Sequence, residues 1–425
     1  MNAIGRGVLP AVVALALLGA GCGSSGGTGK QASGVTTTSV GTTKAPKTSR
    51  GFDGSTVTVA GMGLKGQLPG AEFGARARIK RFNDANELPG VKIQYTEFAD
   101  DKGDPATALS EARRLVTDVK ALALVGDVSA NTPGSYLAQQ HVPYFGWAFD
   151  DSYCSDAPDD SLWGFGFNGC LVSSHHPKMA PDSYTPLHTY VAKETGKERP
   201  TLANFSSDTT SGHASTKSTV ALTGAGFDVV FSKGIVPPPP TSDYTPYVQR
   251  LLASDHGHAP DVIICSLAVD CIPMYKGLRA AGFTGIFQHN LYSDALLAPM
   301  KGSVAGTFLV PFDTPNAGLT QLKADVSAVN PSQVIDIGVA GGYFSTDMFI
   351  QALKKAKAGG GISAENVRAA ASHMTWEIKG LAGPTRYPES TAIPTPYCVG
   401  YTISTGTEWK TVAPFTCSER TFPNP

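Results

Sequence analysis

The sequence predicts an α/β protein built as two doubly wound lobes with a ligand cleft between them. Three observations carry that prediction. From Ser55 short β-branched runs alternate with amphipathic helical stretches, and after a loop-rich stretch the same alternation restarts near Leu187. Further helices and a C-terminal β segment follow, so the chain crosses between lobes more than once. At 425 residues the chain also exceeds what one ordinary core needs.

The amino terminus reads as a leader, residues 1–21. Arg6 is its positive region, Val8 to Leu18 its apolar core, and Gly19-Ala20-Gly21 its small-residue approach to Cys22. The arrangement resembles a bacterial lipoprotein signal, with Gly19 where Leu is usual. It predicts cleavage before Cys22, lipidation of that thiol, and an extracytoplasmic body moored to the bacterial cell membrane. An ordinary secretory peptide or an uncleaved anchor are the alternatives. Residues 22–50 are rich in Gly, Ser and Thr and bury too little to fold, so they read as a tether reaching about 30 Å. No later segment has the roughly 18 consecutive apolar residues of a membrane helix.

The chain has 34 Lys and Arg against 35 Asp and Glu. All of Arg6, Lys30, Lys44, Lys47 and Arg50 lie ahead of the first acid, which leaves the body distinctly acidic. Such a balance argues against nucleic acid as a partner.

In the body, Thr56 to Met62 reads as a strand, Ala71 to Ala85 as a helix, and Val91 to Glu97 as a strand. Pro105 to Val119 is a helix with one apolar stripe, capped by Asp104. Leu122 to Val125 is a buried strand, and this βαβαβ order implies a parallel sheet. The second set has a helix at Leu187 to Thr195, a strand at Thr201 to Phe205, a helix at Ser215 to Thr223 and a strand at Val229 to Ser232. A helix around Tyr247 to Leu252, a strand at Val262 to Cys265, a helix at Pro273 to Ala281 and a strand at Ile286 to Gln288 complete it. Helices around Leu319 to Val329, Tyr343 to Ala358 and Ala364 to His373 come next. The expected division is 55–182 with 313–380 for one lobe, and 183–312 with 381–425 for the other.

Apart from Cys22, six cysteines form three close pairs, which in an oxidising compartment predict disulfides Cys154–Cys170, Cys265–Cys271 and Cys398–Cys417. Six cysteines allow about 15 connectivities, and free thiols or zinc are the alternatives. The last pair brackets two β-like runs, Val399 to Ile403 and Trp409 to Val412, around a Ser-Thr-Gly-Thr turn.

Several stretches together resemble the type I periplasmic binding proteins of the branched-chain amino acid class. They are Asp100-Asp101-Lys102-Gly103-Asp104-Pro105-Ala106-Thr107-Ala108, Ala123-Leu124-Val125-Gly126, Gly70-Ala71-Glu72-Phe73-Gly74-Ala75, Pro260-Asp261-Val262-Ile263-Ile264 and Leu278-Arg279-Ala280-Ala281-Gly282-Phe283. The likeness runs in family order over most of Ser55 to Ala382. It implies a binding protein that captures a small polar molecule, such as an amino acid, an amide or a related carboxylate. Delivery would be to the permease of an ABC importer, with the protein a monomer, no cofactor and no catalysis. Tethered sensing for a signalling partner needs the same closure and remains open.

The resemblance also implies site residues. Ser129, Asn131 and Thr132 correspond to the loop that faces a ligand carboxylate with helix-end amides, or they serve only as caps. Ala148 and Asp150 correspond to the ammonium-holding strand end, with Asp150 replacing a hydroxyl; it holds a cation or starts the next turn. Trp147 and Phe149 are wall or core. Ser211-Gly212 stands where the family has Tyr-Gly, and His289-Asn290-Leu291-Tyr292 stands where it has an acid. Asn290 and Tyr292 therefore suit an uncharged polar ligand, or are plain loop residues.

Enzyme motifs are missing from the body: from Gly51 onward there is no G-x-S-x-G, no H-E-x-x-H and no phosphate-cradling loop. A secreted α/β hydrolase is the distant enzymatic alternative. His175-His176 has no metal-binding spacing, and Asp100, Asp101 and Asp104 lack the glycine and terminal glutamate of a calcium loop. No metal is expected.

Overall fold

A computed structural model describes residues 48–148, 150–155, 161–170, 179–208, 210–217, 219–237, 241–266, 270–393 and 396–423. The side chains of 210, 211, 214 and 217 are not part of that description. Cys22, the leader and the tether through 47 lie outside it, as do Phe149, His175 and His176.

The first sheet contains β1 (Thr56–Gly63), β2 (Lys92–Asp100), β3 (Ala123–Asp127), β4 (Tyr144–Gly146) and β5 (Gly164–Gly166). Their order is β2-β1-β3-β4-β5 and every pairing is parallel. The connecting helices are α1 (Gly70–Asp84), α2 (Pro105–Thr117) and α3 (Gly134–Gln139). Asp104 caps α2 as expected, its carboxylate accepting from the Thr107 amide at 2.7 Å.

β6 (Met179–Pro181) leads into the second lobe, which runs through α4 (Thr185–Thr195), β7 (Thr201–Ser207), α5 (Thr210–Lys217), α6 (Val220–Ala225) and β8 (Asp228–Val236). It continues with α7 (Thr245–Leu252), β9 (Val262–Cys265), α8 (Cys271–Ala280), β10 (Ile286–His289) and β11 (Val304–Thr307). The one helix expected over Ser215 to Thr223 is two. Ser215 and Thr216 hydroxyls donate back to the Gly212 carbonyl at 2.8 and 3.0 Å, the kind of competition that interrupts a helix.

The chain then returns through α9 (Ala317–Ser327), α10 (Ile337–Gly359), α11 (Ala364–Ala371), β12 (Thr375–Ile378) and β13 (Ala382–Arg386) before β14 (Tyr397–Ser404), β15 (Trp409–Ser418) and β16 (Thr421–Pro423). The second sheet has the order β15-β14-β11-β10-β9-β7-β8, with β14 and β15 antiparallel at one edge. β16 pairs with β6.

α10 begins six residues earlier than the sequence predicts, at Ile337, where Asp336 accepts from the Val339 amide at 2.7 Å. Gly338, Gly341 and Gly342 lower helix propensity and hide that start. They are tolerated because α1 lies directly on α10. A Cβ at Gly342 would stand 2.0 Å from the Ala71 carbonyl oxygen, and one at Gly74 would stand 2.0 Å from that of Val339. Phe344, Met348, Phe349 and Leu353 of α10 are fully buried, each worth roughly 1.5–3 kcal/mol relative to exposure. On the same two helices the buried Arg78 donates to Asp347 at 2.6 Å and to both Glu87 oxygens at 2.8 and 3.0 Å. Trp376 and Gln351 also donate to Asp347, at 3.0 and 2.7 Å.

Two expected boundaries need correction. Ser49 and Arg50 belong to the folded body: Ser49 bridges Phe52, and Arg50 donates to the Ala121, Gln140 and His141 carbonyls at 3.2, 2.6 and 2.5 Å. Composition missed them because a polar segment can be held by backbone acceptors alone. The expected division at 380/381 falls inside the β12–β13 hairpin. The chain beyond it bonds to the first lobe, Tyr387 to the Gly166 carbonyl at 2.8 Å and the Ser155 amide to that of Thr391 at 2.8 Å.

All three cysteine pairs are sequential disulfides, with S–S distances of 2.00, 2.03 and 2.14 Å. Cys398 and Cys417 face each other in register on β14 and β15. Among the described residues no helix is long and apolar enough to cross a membrane.

Candidate functional site

Open parallel sheets bind ligands beyond the carboxyl ends of their strands. In the first lobe those ends are Gly63, Asp100, Asp127 and Gly146, and in the second Ser207, Cys265 and His289. The loops that leave them line the cleft side of each lobe. A surface depression lined by Thr195, Leu252, Asp261, Phe283 and Ile286 lies at the amino-terminal ends of β9 and β10, the opposite pole.

The structure brings Ser129, Asn131, Thr132 and Asp150 together. It does so around a residue that the sequence reading passed over, Asp127, the buried last residue of β3. One Asp127 oxygen accepts from the Ser129 amide at 3.0 Å; the other takes the Thr132 hydroxyl at 3.1 Å and the Tyr153 hydroxyl at 2.7 Å. Ser129 Oγ accepts from the Asn131 amide at 3.0 Å. Asp150 takes the Thr132 amide at 2.8 Å on one oxygen and the Ser152 amide at 2.8 Å on the other. Asn131 Nδ2 donates to the Gly103 carbonyl at 3.0 Å. Of the two readings open for Asp150, the structure displays turn formation: it caps the 3₁₀ turn Asp151–Tyr153. The amides expected to face an anion are thus each engaged by an oxygen of this chain.

Burial pushes the Asp127 carboxyl up to about 8 against the pull of the Tyr153 hydroxyl, and burial also raises Asp150. Asp127 therefore folds with a proton that the unfolded chain releases near 3.8. Its contribution to stability is complete below that pH and is lost as pH climbs through about 8. Asp127→Asn keeps the shape of the protonated group and removes the titration. Denaturant titrations from pH 4 to 9 are expected to show the variant gaining on wild type by a few kcal/mol, at ~1.4 kcal/mol per unit of pKa difference. A flat difference would mean that Asp127 ionises normally.

The other expected residues are placed as follows. Ala148 is buried, its amide 3.4 Å from Asn168 Oδ1. Trp147 is core, meeting Phe308 edge-on at 4.6 Å and Phe167 at 6.4 Å between centroids. Ser211 lies in the first turn of α5, and its side chain is outside the description. Asn290 is exposed at the end of β10 and accepts from Gln288 Nε2 at 2.9 Å.

Tyr292 corrects an expectation. It is fully buried, stacked on Phe312 at 4.1 Å, with its hydroxyl accepting from the Phe312 amide at 2.6 Å. It packs the joint between β10 and α10, where its carbonyl takes the Ile337 amide at 2.9 Å. An aromatic next to a polar loop residue looks like a ligand wall in sequence, and only the packing shows otherwise. His289 beside it is buried, and desolvation carries it down to about 3. Its Nδ1 accepts from the Leu291 amide at 3.1 Å, so the proton is on Nε2, 2.9 Å from Ser303 Oγ. It is a neutral structural histidine.

A second acid missed in the sequence stands at the carboxyl end of β9. Asp270 immediately precedes α8 and the half-cystine Cys271, and accepts from the Tyr244 hydroxyl. Only the acid content of a short apolar loop signalled it. Among the described residues no group of three or more His, Cys, Asp or Glu is arranged to hold a metal ion.

Residues 58–404 match the family described as periplasmic binding protein. No curated protein matches the sequence. Among solved structures, a fatty acid ABC transporter substrate-binding protein from Thermomonospora curvata is 18% identical, with TM-score 0.67 over 87% of this chain and 94% of that one. A branched-chain amino acid transporter substrate-binding protein from Streptococcus pneumoniae, in complex with isoleucine, is 14% identical, with TM-score 0.62 over 85% and 99%. A Thermus thermophilus branched-chain amino acid ABC transporter protein with bound valine is 14% identical, with TM-score 0.65 over 85% and 96%. Two mainly parallel sheets joined by repeated crossings, loops at their carboxyl strand ends and a match over most of the body lead to one assignment: the chain belongs to the periplasmic binding protein family, with the type I fold.

Proposed function

We propose that this chain is an extracytoplasmic solute receptor that closes its two lobes around a small polar molecule and hands it to the permease of an ABC importer. In this reading Cys22 carries the lipid that keeps the receptor at the membrane, the body acts as a monomer, and the solute leaves unaltered. The observation that carries the reading is the pair of sheets whose loop-bearing carboxyl ends supply the two jaws, within a chain that matches the binding-protein family over 58–404. The relatives named above are transporter proteins, which supports delivery over sensing.

Closure is a two-state change that a ligand biases only by binding one state better. Small-angle scattering of the full chain in detergent is expected to show a smaller radius of gyration when a bound solute saturates it. The same sample assayed by mass spectrometry is expected to return that solute unchanged. Steady conversion of the solute, abolished by one side-chain exchange, would end the receptor reading.

A further inference from the structure

The receptor reading leaves the ligand's chemistry open, and the charges at the strand ends narrow it. A ligand carboxylate is ordinarily held by free loop amides at a helix end. Here the Ser129, Asn131 and Thr132 amides donate to Asp127 Oδ1, Ser129 Oγ and Asp150 Oδ2 at 3.0, 3.0 and 2.8 Å. An incoming anion would have to displace the carboxyl group of Asp127 or Asp150 and then sit beside the other. Two basic groups of the strand-end loops are engaged as well: Lys65 pairs with Glu72 at 3.2 Å, and His213 with Asp208 at 2.6 Å.

The second lobe supplies an independent observation. Asp270 is 3% exposed; its Oδ1 accepts the Tyr244 hydroxyl, while its Oδ2 is buried with no hydrogen-bond partner and no ion pair among the described residues. The adjacent Cys265–Cys271 disulfide ties the end of β9 to the start of α8, so the carboxylate is held in place. A buried carboxylate oxygen without a donor is costly, and a protonated amine is the donor that offsets both its charge and its missing hydrogen bond.

We propose that the cleft takes an organic cation, a solute with a protonated amine and no free carboxylate, and that Asp270 is the acid that holds it. This rests on the receptor reading above. Tyr244 is a positioning residue that keeps one oxygen occupied and turns the other to the ligand. Discrimination against amino acids follows from the first lobe, where the carboxylate seat is filled by Asp127 and Asp150.

The test is isothermal titration of the full chain in detergent with butylammonium, 1,4-diaminobutane and agmatine, against isoleucine, glutamate and octanoate. At least one amine is expected to saturate the protein at one site, and none of the three carboxylates. Asp270→Asn is expected to weaken the amine about tenfold or more, the scale of one charge-assisted contact. Tyr244→Phe, a mild exchange that keeps the ring, is expected to weaken it severalfold and serves if the first variant fails to fold. Saturation by isoleucine, glutamate or octanoate overturns the cation assignment and leaves the receptor intact. Equal amine binding by wild type and both variants, or no amine binding at all, overturns it too. Turnover of any probe counts against the receptor reading instead.

Discussion

Gly342→Val is expected to produce the largest loss of stability of any single exchange between the two helices that buttress the first sheet. A Cβ at that position would stand 2.0 Å from the Ala71 carbonyl oxygen and 2.7 Å from its carbon, which leaves no room for any side chain. Both contacts are to backbone, so no rotamer change relieves them; α1 and α10 must separate. Separation would strip contacts from Phe344 and Ala75 and loosen the Asp336 cap region. Overpacking of well-filled cores costs about 1–3 kcal/mol and more when backbone must move, so a loss of at least about 3 kcal/mol is expected in urea denaturation. Gly359→Ala is the control. It has nothing within 4 Å of the added Cβ, lies at the end of the same helix, and is expected to be neutral or slightly stabilising. A Gly342→Val variant as stable as Gly359→Ala would show that close approach to α1 does not govern the packing of α10.

Arg78→Ala is expected to come close behind. Removing the guanidinium strands Asp347 and Glu87 in a largely buried setting, with side-chain exposures of 9% and 15%. Breaking a buried pair from one side costs about 3–5 kcal/mol, because the partner charge stays behind without compensation. Trp376 and Gln351 would still donate to Asp347, and Lys354 to Glu87, which places the loss nearer the lower figure. The pH signature is specific. Burial alone would raise Glu87, but hydrogen bonds from Arg78 and Lys354 outweigh it and carry it down to about 2. A carboxyl lowered on folding contributes stability above its unfolded value of 4.5 and loses it as pH falls toward about 2. Wild type is therefore expected to weaken over that interval, and Arg78→Ala to weaken less steeply there. Parallel curves would place the acid sensitivity elsewhere.

The legible part of this protein was its scaffold. Alternating runs such as Thr56 to Met62 and Pro105 to Val119 announced the parallel sheet because burial on one face writes itself into residue spacing. The three disulfides were readable from proximity in sequence. Three-residue strands were not, since β5 (Gly164–Gly166) is too short for any periodicity and is defined by pairing with β4. The start of α10 was masked by glycines whose purpose is visible only with α1 in place. At the site, family likeness pointed to a loop whose amides are engaged within the chain. The carboxyl groups that engage the Ser129 and Thr132 amides come from Asp127 and Asp150, two and eighteen residues away from the amides they serve. Asp270 and Tyr292 illustrate the same limit from opposite sides. Whether a polar or aromatic residue after a strand reaches the cleft or the core depends on neighbours supplied by distant chain.

The pairing of β11 with β14 has a consequence for biogenesis. β11 emerges early, yet the strand that covers its flank is made only after α9, α10 and α11 have been completed. Until then the half-built sheet presents an unsatisfied strand edge to whatever is nearby, which is a template for intermolecular association. Export through a channel that accepts only unfolded chain would postpone that hazard until all the strands arrive together, and a chaperone that recognises bare strand edges would be needed most when translocation stalls before residue 397.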